Sequence, residues 1–295
     1  MNHPTTASPI IYEARATAGL EHLGLKVALQ QLDQTAQQAA AGQWSYTHFL
    51  GYLLDGELDQ RRQRAIETSL KFAHFPYAKR LADFDYTAQP SIDKRLIEEL
   101  ATTRFCAEGR NVVLLGPPGV GKTHLAIALA SCICELGQRA YFTTAIELAR
   151  RLAKATRENR LHREMKNLVR PSVLVIDEVG YLTLDTTQAS LLFQVIAERY
   201  EKQQAIILTS NKAFSDWASV FAGDAIMASA ALDRLLHRAT VINIRGDSYR
   251  LKTRQRAGSE RLEINSNDSG STSVTQGQPR RSRKPSDEDH EEVSA

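Results

Sequence analysis

Five short apolar runs punctuate the middle of the chain, at Asn111–Leu115 and at residues 140–143, 172–176, 205–209 and 240–244. They are too short for helices and read as strands, and after their first residues the runs at 111–115 and 172–176 show the unbroken apolar character of buried parallel strands. Segments of helical length separate them, the first opening with His124-Leu125-Ala126-Ile127-Ala128-Leu129-Ala130. Strand and helix in alternation predict an α/β fold: a three-layer α/β/α domain around a five-stranded parallel sheet.

Upstream the period changes to that of helices. The chain is unpatterned to about Tyr12, after which Leu20, Leu23, Val27 and Leu32 mark one apolar helix face that ends near Ala41-Gly42-Gln43. Ser45 suits the N-cap of a long helix carrying Phe49, Leu53 or Leu54, and Leu58, then the basic run Arg61, Arg62 and Arg64, with a break at Pro76. These features imply a small all-helical domain over residues 13–76, preceded by a flexible segment 1–12. Residues 72–86 are aromatic and basic, with Phe72, Phe75, Tyr77, Phe84 and Tyr86. They suit docking of the helical module on the core or stacking on bases, with Phe84 to Tyr86 lining an adenine pocket. A helix that Ser91 caps and Gly109 ends follows. After Leu262 the composition turns to Ser, Asn, Gly, Thr and Gln, with a basic cluster Arg280-Arg281-Ser282-Arg283-Lys284 and an acidic end. The expected divisions are therefore an α/β domain over 77–262 and a disordered tail over 263–295.

Composition changes this picture little. At 295 residues, 42% hydrophobic and 24% charged, the chain has ample material for one α/β core and a smaller module. No stretch approaches the roughly 18 to 20 apolar residues of a membrane span, and no signal core opens the chain, so a cytoplasmic protein without membrane contact is expected. Cys106, Cys132 and Cys134 lack paired metal spacing and read as buried thiols in a reducing compartment.

The chemistry is concentrated after the first strand. Gly116-Pro117-Pro118-Gly119-Val120-Gly121-Lys122-Thr123 fits G-x-x-x-x-G-K-[ST] at every position, and it lies between a strand and the helix that His124 continues. Glycines let the backbone curl until successive N–H groups face phosphate oxygens at a helix N-terminus. Residues 116–124 are therefore the expected nucleotide-binding segment, with Lys122 on the β- and γ-phosphates and the Thr123 hydroxyl on Mg²⁺. The run 172–176 ends in Asp177-Glu178, whose side chains must diverge; Asp177 suits the metal and Glu178 the attacking water. The run 205–209 ends in Ser210-Asn211, and the Asn211 amide suits a γ-phosphate sensor. Phe214 stands where N-K-x-D would require its guanine-reading carboxylate, so ATP is favoured over GTP.

The net charge of +3 argues little by itself, but its distribution argues more. Arg150, Arg151, Lys154, Arg157, Arg160, Arg163, Lys166 and Arg170 recur at three-to-four spacing against only Glu158 and Glu164, as along one side of a helix. Such a stripe is a footprint for the phosphates of double-stranded DNA, or else a solvated helix face.

Four segments, GPPGVGKTHLA, VLVIDEVGYL, ILTSN and ALDRLLHRATVINIRGDSYRLK, resemble the IstB-like ATP-binding helpers of insertion sequences, as do GYLLDGELDQRR and KFAHFPYAKRLADFDY nearer the N-terminus. The likeness spans residues 20–255. It implies an AAA+ ATPase related to the DnaC helicase loader, binding ATP and Mg²⁺ and assembling on DNA as a homo-oligomer with ATP sites at subunit interfaces. It also implies a partner transposase in target selection, or a hexameric helicase if the chain is instead a DnaC-like loader. A phosphoryl-transfer enzyme for a small metabolite is disfavoured, because such an enzyme has no use for a phosphate-tracking stripe. By position, Glu178, Asn211 and Arg234 would be catalytic. Arg234 would be the arginine finger offered to a neighbour, with Arg238 one turn later as competitor. Only residues 245–261 precede the tail, which implies a short or absent lid.

Overall fold

A computed structural model describes residues 9–249 of the chain. The expected tail, the end of the ATPase-like domain and most of the residues in which a lid was sought lie outside them, as do residues 1–8.

The first three helices are α1 (Pro9–His22), α2 (Lys26–Ala41) and α3 (Tyr46–Phe72). Helix begins at Pro9, inside the segment expected to be flexible to residue 12. The single helix expected before Gly42 is two, because Gly24 takes φ 67° and turns the chain between them. Ser45 caps α3 as predicted, its hydroxyl accepting from His48 N at 3.2 Å. Leu53 faces inward while Leu54 and Leu58 stay exposed. The α2–α3 pair is joined by a buried carboxylate, Glu57, which accepts from Val27 N at 2.9 Å.

Next come α4 (Lys94–Ala101) and α5 (Arg104–Ala107). Asp93, not Ser91, caps α4, accepting from Arg95 N at 2.9 Å. The expected single helix breaks at Thr103, which takes a left-handed φ of 63°. Ser91 instead joins two distant segments, donating to Arg245 O and accepting from Arg245 N.

The α/β part then runs β1 (Asn111–Leu115), α6 (Lys122–Glu135), β2 (Ala140–Thr144), α7 (Ala145–Arg157), α8 (Leu161–Val169), β3 (Val173–Val179), α9 (Thr186–Glu201), β4 (Ala205–Ser210), α10 (Ala225–Leu236) and β5 (Ala239–Asn243). The five strands form one parallel sheet in the order β2-β3-β4-β1-β5. Alternation decides which layer each strand residue faces. Val113, Leu115, Leu174, Ile176, Ile206 and Leu208 pack with α7, α9 and α10, while Val112, Leu114, Val173, Val175 and Ile207 pack with α6. The three-layer prediction therefore holds, with every strand within two residues of its expected bounds except β3, which continues through Asp177 and Glu178 to Val179.

Aromatic residues between the helical module and β1 serve mainly in docking. Phe72 and His74 pack edge-on against Tyr141 of β2, Phe75 against Phe142, and Phe142 N donates to Ala73 O at 2.8 Å. One buried cation escaped the sequence reading. Arg199 of α9 is fully buried and donates to the carbonyls of Leu168, Pro171, Ser172 and Ala205, so that it ties the end of α8 to the starts of β3 and β4. Burial pulls its guanidinium down to about 9.

Candidate active site

The phosphate-binding loop leaves the C-terminal end of β1 and runs into α6, whose N-cap is Gly121. The first-turn amides of α6 therefore lack intrahelical partners and open toward the loop, the arrangement that binds phosphate. Gly121 has φ 96°, and a Cβ there would lie 2.6 Å from the Phe84 ring. A side chain at Gly116, with φ 152°, would strike the Ile244 carbonyl. Both glycines are thus required by backbone conformation and by close neighbours. Lys122 Nζ donates to Gly116 O and Pro117 O, each at 2.8 Å, which places its ammonium over the loop. His124 Nε2 lies 2.9 Å from Arg80 O, and its ring packs edge-on against Phe84. The linker before β1 is therefore held against the loop, and His124 holds it there. On the same side, Tyr249 N donates to Gly119 O at 3.0 Å.

Two strands away, the chain makes a bulge at Asp177 and Glu178. Ile176 pairs with Leu208 and Val179 with Ser210, so β3 takes three steps where β4 takes two. Glu178 sits at φ 60°, a left-handed conformation unusual for a non-glycine residue, and is exposed, while Asp177 is 3% exposed. The pair diverges, as expected from alternation, one carboxylate buried and the other exposed. Thr123 Oγ1 lies 3.0 and 3.1 Å from the two Asp177 carboxylate oxygens. Thr209 Oγ1 donates to Asp177 Oδ1 at 2.5 Å and accepts from Glu178 N at 3.0 Å. Thr209 was not anticipated; its signal was a hydroxyl in an otherwise apolar buried run. Asn211 is exposed just past the end of β4.

The donor set fits a magnesium nucleotide. A hydroxyl and a buried carboxylate side by side are hard oxygen ligands of the kind Mg²⁺ takes, next to a loop of backbone donors and one ammonium. Thr123 and Asp177 would hold the ion, and the ion would neutralise negative charge on the phosphates.

Arg234 does not join this site. Asn111 Nδ2 donates to Leu235 O at 2.8 Å and Asn111 N to Arg238 O at 2.7 Å, so the end of α10 lies at the start of β1, opposite the phosphate loop. Arg234 donates to Ala230 O at 2.9 Å, and its guanidinium lies 5.0 Å over the Phe193 ring. Arg238 is exposed.

The basic stripe is not one helix. Glu158, Asn159 and Arg160 turn the chain between α7 and α8, with Asn159 at φ 52°. Arg151 is half-buried, paired with Glu164 and the Tyr141 hydroxyl, and Arg160 is paired with Glu158. Arg151 is engaged internally, while the Arg160 pair is an exposed one on the surface. Arg150, Lys154, Arg157, Arg163, Lys166 and Arg170 are exposed on the two helices, and Lys154 and Arg163 line a shallow groove of about 350 Å³ between them.

The sequence matches the model of the family described as IstB-like ATP binding protein over residues 18–257. The chain is 46% identical over 239 residues to the IS21 insertion-sequence ATP-binding protein of Pseudomonas aeruginosa, covering 81% of this chain and 88% of the relative. It is 44% identical over 233 residues to the IS5376 counterpart of Geobacillus stearothermophilus, covering 79% and 92%. Among solved structures, the DnaC helicase loader is similar at 25% identity and TM-score 0.45 over 51% of this chain and 87% of that one. DnaI is similar at 20% identity and TM-score 0.49 over 59% and 93%. A family match that spans the helical module as well as the phosphate loop goes beyond what the loop motif alone carries, and the chain belongs to the IstB-like ATP-binding proteins associated with insertion sequences.

Proposed function

We propose that this protein is a Mg²⁺-dependent ATPase that assembles on double-stranded DNA and assists a partner transposase in target selection. The observation that carries the hydrolytic part is the junction at Asp177, where the Thr123 hydroxyl meets a buried carboxylate while the bulge turns Glu178 outward beside it. Lys122 and the amides of residues 116–124 bind the phosphates, and Thr123 and Asp177 hold the ion. Glu178 orients a water for attack on the γ-phosphorus and accepts its proton as the β–γ bridging bond breaks, releasing ADP and phosphate. Asn211 donates to the γ-phosphate.

The position of Arg234 supports assembly on the reading of Arg234 as the arginine finger. The strand that separates it from the loop spans about 16 Å at 3.3 Å per residue, so a phosphate it touches belongs to a neighbouring subunit. The exposed cations of α7 and α8 supply the DNA surface. The transposase partner is supported by the names of the relatives, which are insertion-sequence proteins.

The experiment is the ATPase rate of the full chain with and without duplex DNA, across protein concentrations. Stimulation by DNA and a rate per subunit that rises with concentration are expected. A rate indifferent to both overturns the assembly mechanism. Pull-downs against the transposase and against a hexameric replicative helicase decide the partner, and capture of the helicase alone makes the protein a loader.

A further inference from the structure

We propose that Thr209 is a positioning residue for hydrolysis, whose hydroxyl replaces a backbone partner lost in the β3 bulge and thereby sets both Asp177 and Glu178. The inference rests on the reading of Asp177 as the metal ligand and Glu178 as the group that orients water.

In an unbroken parallel ladder the N–H groups of β3 bond carbonyls of a neighbouring strand at even spacing. The extra residue between Ile176 and Val179 interrupts that pairing with β4 at Glu178. A partly buried N–H left without a partner is costly, and here the partner is a side chain: Glu178 N donates to Thr209 Oγ1 at 3.0 Å. An amide can only donate, so the hydroxyl accepts, and its single proton remains for Asp177 Oδ1 at 2.5 Å. One atom therefore fixes the carboxylate that would hold Mg²⁺ and the backbone that aims the adjacent carboxylate.

The next residue repeats the device. Ser210 Oγ donates to Val179 O at 2.7 Å and accepts from Lys212 N at 3.0 Å. Adjacent β4 hydroxyls thus bracket Glu178 on both sides. A left-handed non-glycine residue persists only where its surroundings over-determine it. At Glu178 those surroundings are Thr209, Ser210 and the Tyr181 amide, which donates to Glu178 O at 3.2 Å. Thr209 is 1% exposed and follows Ala205, Ile206, Ile207 and Leu208, so packing alone would be met as well by valine. The hydroxyl, rather than the volume, is what the position uses.

The test compares Thr209→Val, nearly the same shape without the hydroxyl, with Thr209→Ser, which restores it. Full-length variants are assayed for ATP turnover, for the Mg²⁺ concentration giving half-maximal rate, and for binding of fluorescent ATP in EDTA. Displacement of a reacting group by about 1 Å can cost on the order of 10²-fold. Thr209→Val is expected to lose about 10- to 100-fold in kcat and to need several-fold more Mg²⁺, with metal-free nucleotide affinity within about twofold of the parent. Thr209→Ser is expected to recover both.

Parental turnover and parental Mg²⁺ dependence in Thr209→Val overturn the proposal. So does loss of metal-free affinity or of the folded state in both Thr209→Val and Thr209→Ala, which makes Thr209 a packing residue. Glu178→Gln runs alongside: if it hydrolyses ATP at the parental rate, the reading of Glu178 fails, while the Mg²⁺ dependence of Thr209→Val still reports on Asp177. A dead Glu178→Gln with a fully active Thr209→Val refutes the inference alone.

Discussion

The Thr123 hydroxyl lies 3.0 and 3.1 Å from the two carboxylate oxygens of Asp177, a residue 54 positions later in the chain and two strands away across the sheet. The contact joins the loop after β1 to the end of β3. It exists because β4, lying between these strands, places Thr209 against the same carboxylate from the other side. The proposed metal ligand and the phosphate loop are thus linked by hydrogen bonds across the sheet, and the two carboxylates of Asp177-Glu178 are separated into a buried one and an exposed one.

That separation predicts separable defects. Lys122→Ala should abolish ATP binding, because the ammonium over the loop is the main positive charge available to the β- and γ-phosphates. Glu178→Gln should bind ATP at near-parental affinity and lose turnover by about 10²-fold or more. Equilibrium binding and steady-state hydrolysis on the same preparations decide the matter; turnover by Glu178→Gln at the parental rate removes Glu178 from the mechanism.

Exposed and internally paired cations on α7 and α8 should behave differently. Replacing Arg157, Arg163 and Lys166 with Gln should weaken duplex binding regardless of sequence. Each lost phosphate contact should flatten the slope of log K against log salt by about 0.9. Arg151→Gln should instead cost about 1 kcal/mol of stability in urea unfolding, since it strands Glu164 and the Tyr141 hydroxyl, and should leave the salt slope alone. An unchanged slope in the triple variant returns the helix pair to ordinary solvated surface.

Arg234 and the phosphate loop lie at opposite ends of β1, so their cooperation requires two subunits. Arg234→Ala should bind ATP and hydrolyse almost none, because an arginine supplied in trans can be worth about 10³ to 10⁵ in rate. Mixed with Lys122→Ala, which keeps the arginine and lacks the site, it should regain activity that neither has alone. If mixed oligomers form and stay inactive while Arg238→Ala with Lys122→Ala recovers, the finger is Arg238.

The cysteines make a separate prediction about pH. Burial pushes the Cys106 thiol up to about 12, with Arg199 opposing in part, and the Cys134 thiol up to about 11. A free thiol ionises near 8.5, so between about pH 9 and 11 the unfolded chain releases protons that the native chain keeps. Stability from these groups is complete below that window and is lost as pH rises through it. Cys106 and Cys132 are only partly buried, so it is native Cys134 that should resist iodoacetamide at pH 8, where the thiolate is the reactive species, and react fully in urea. Rapid alkylation of native Cys134 contradicts the assignment.

Local pattern was enough for the strands. Short, mostly apolar runs pack best between two layers, and β1, buried along its whole length, begins and ends where its run does, while the edge strand β5 is only partly covered. Helix ends were harder to read. Ser91 and Asp93 are both good caps in isolation; the chain uses Asp93 because the Ser91 hydroxyl is already committed to Arg245, 154 residues away. The reading of the basic stripe as one helix failed for a related reason, since spacing shows which side a charge is on but not that Asn159 takes a left-handed turn and breaks the helix.

For the site, the sequence by itself determined the chemical parts: the loop glycines, Lys122, Thr123, and an adjacent carboxylate pair at a strand end. These follow from residue type at fixed spacing, because close backbone approach and metal ligation admit few alternatives. The tertiary structure alone decided how the parts meet. Strand order brings β4 between β1 and β3, so Thr209 reaches Asp177 and Glu178, while the parallel crossover through α10 leaves Arg234 beside the start of β1, away from the loop. A hydrogen bond between residues 32 apart depends on which strands are neighbours and on one extra residue in a bulge. Neither is a property of local sequence, since both arise only when the sheet closes its hydrogen-bond ladder.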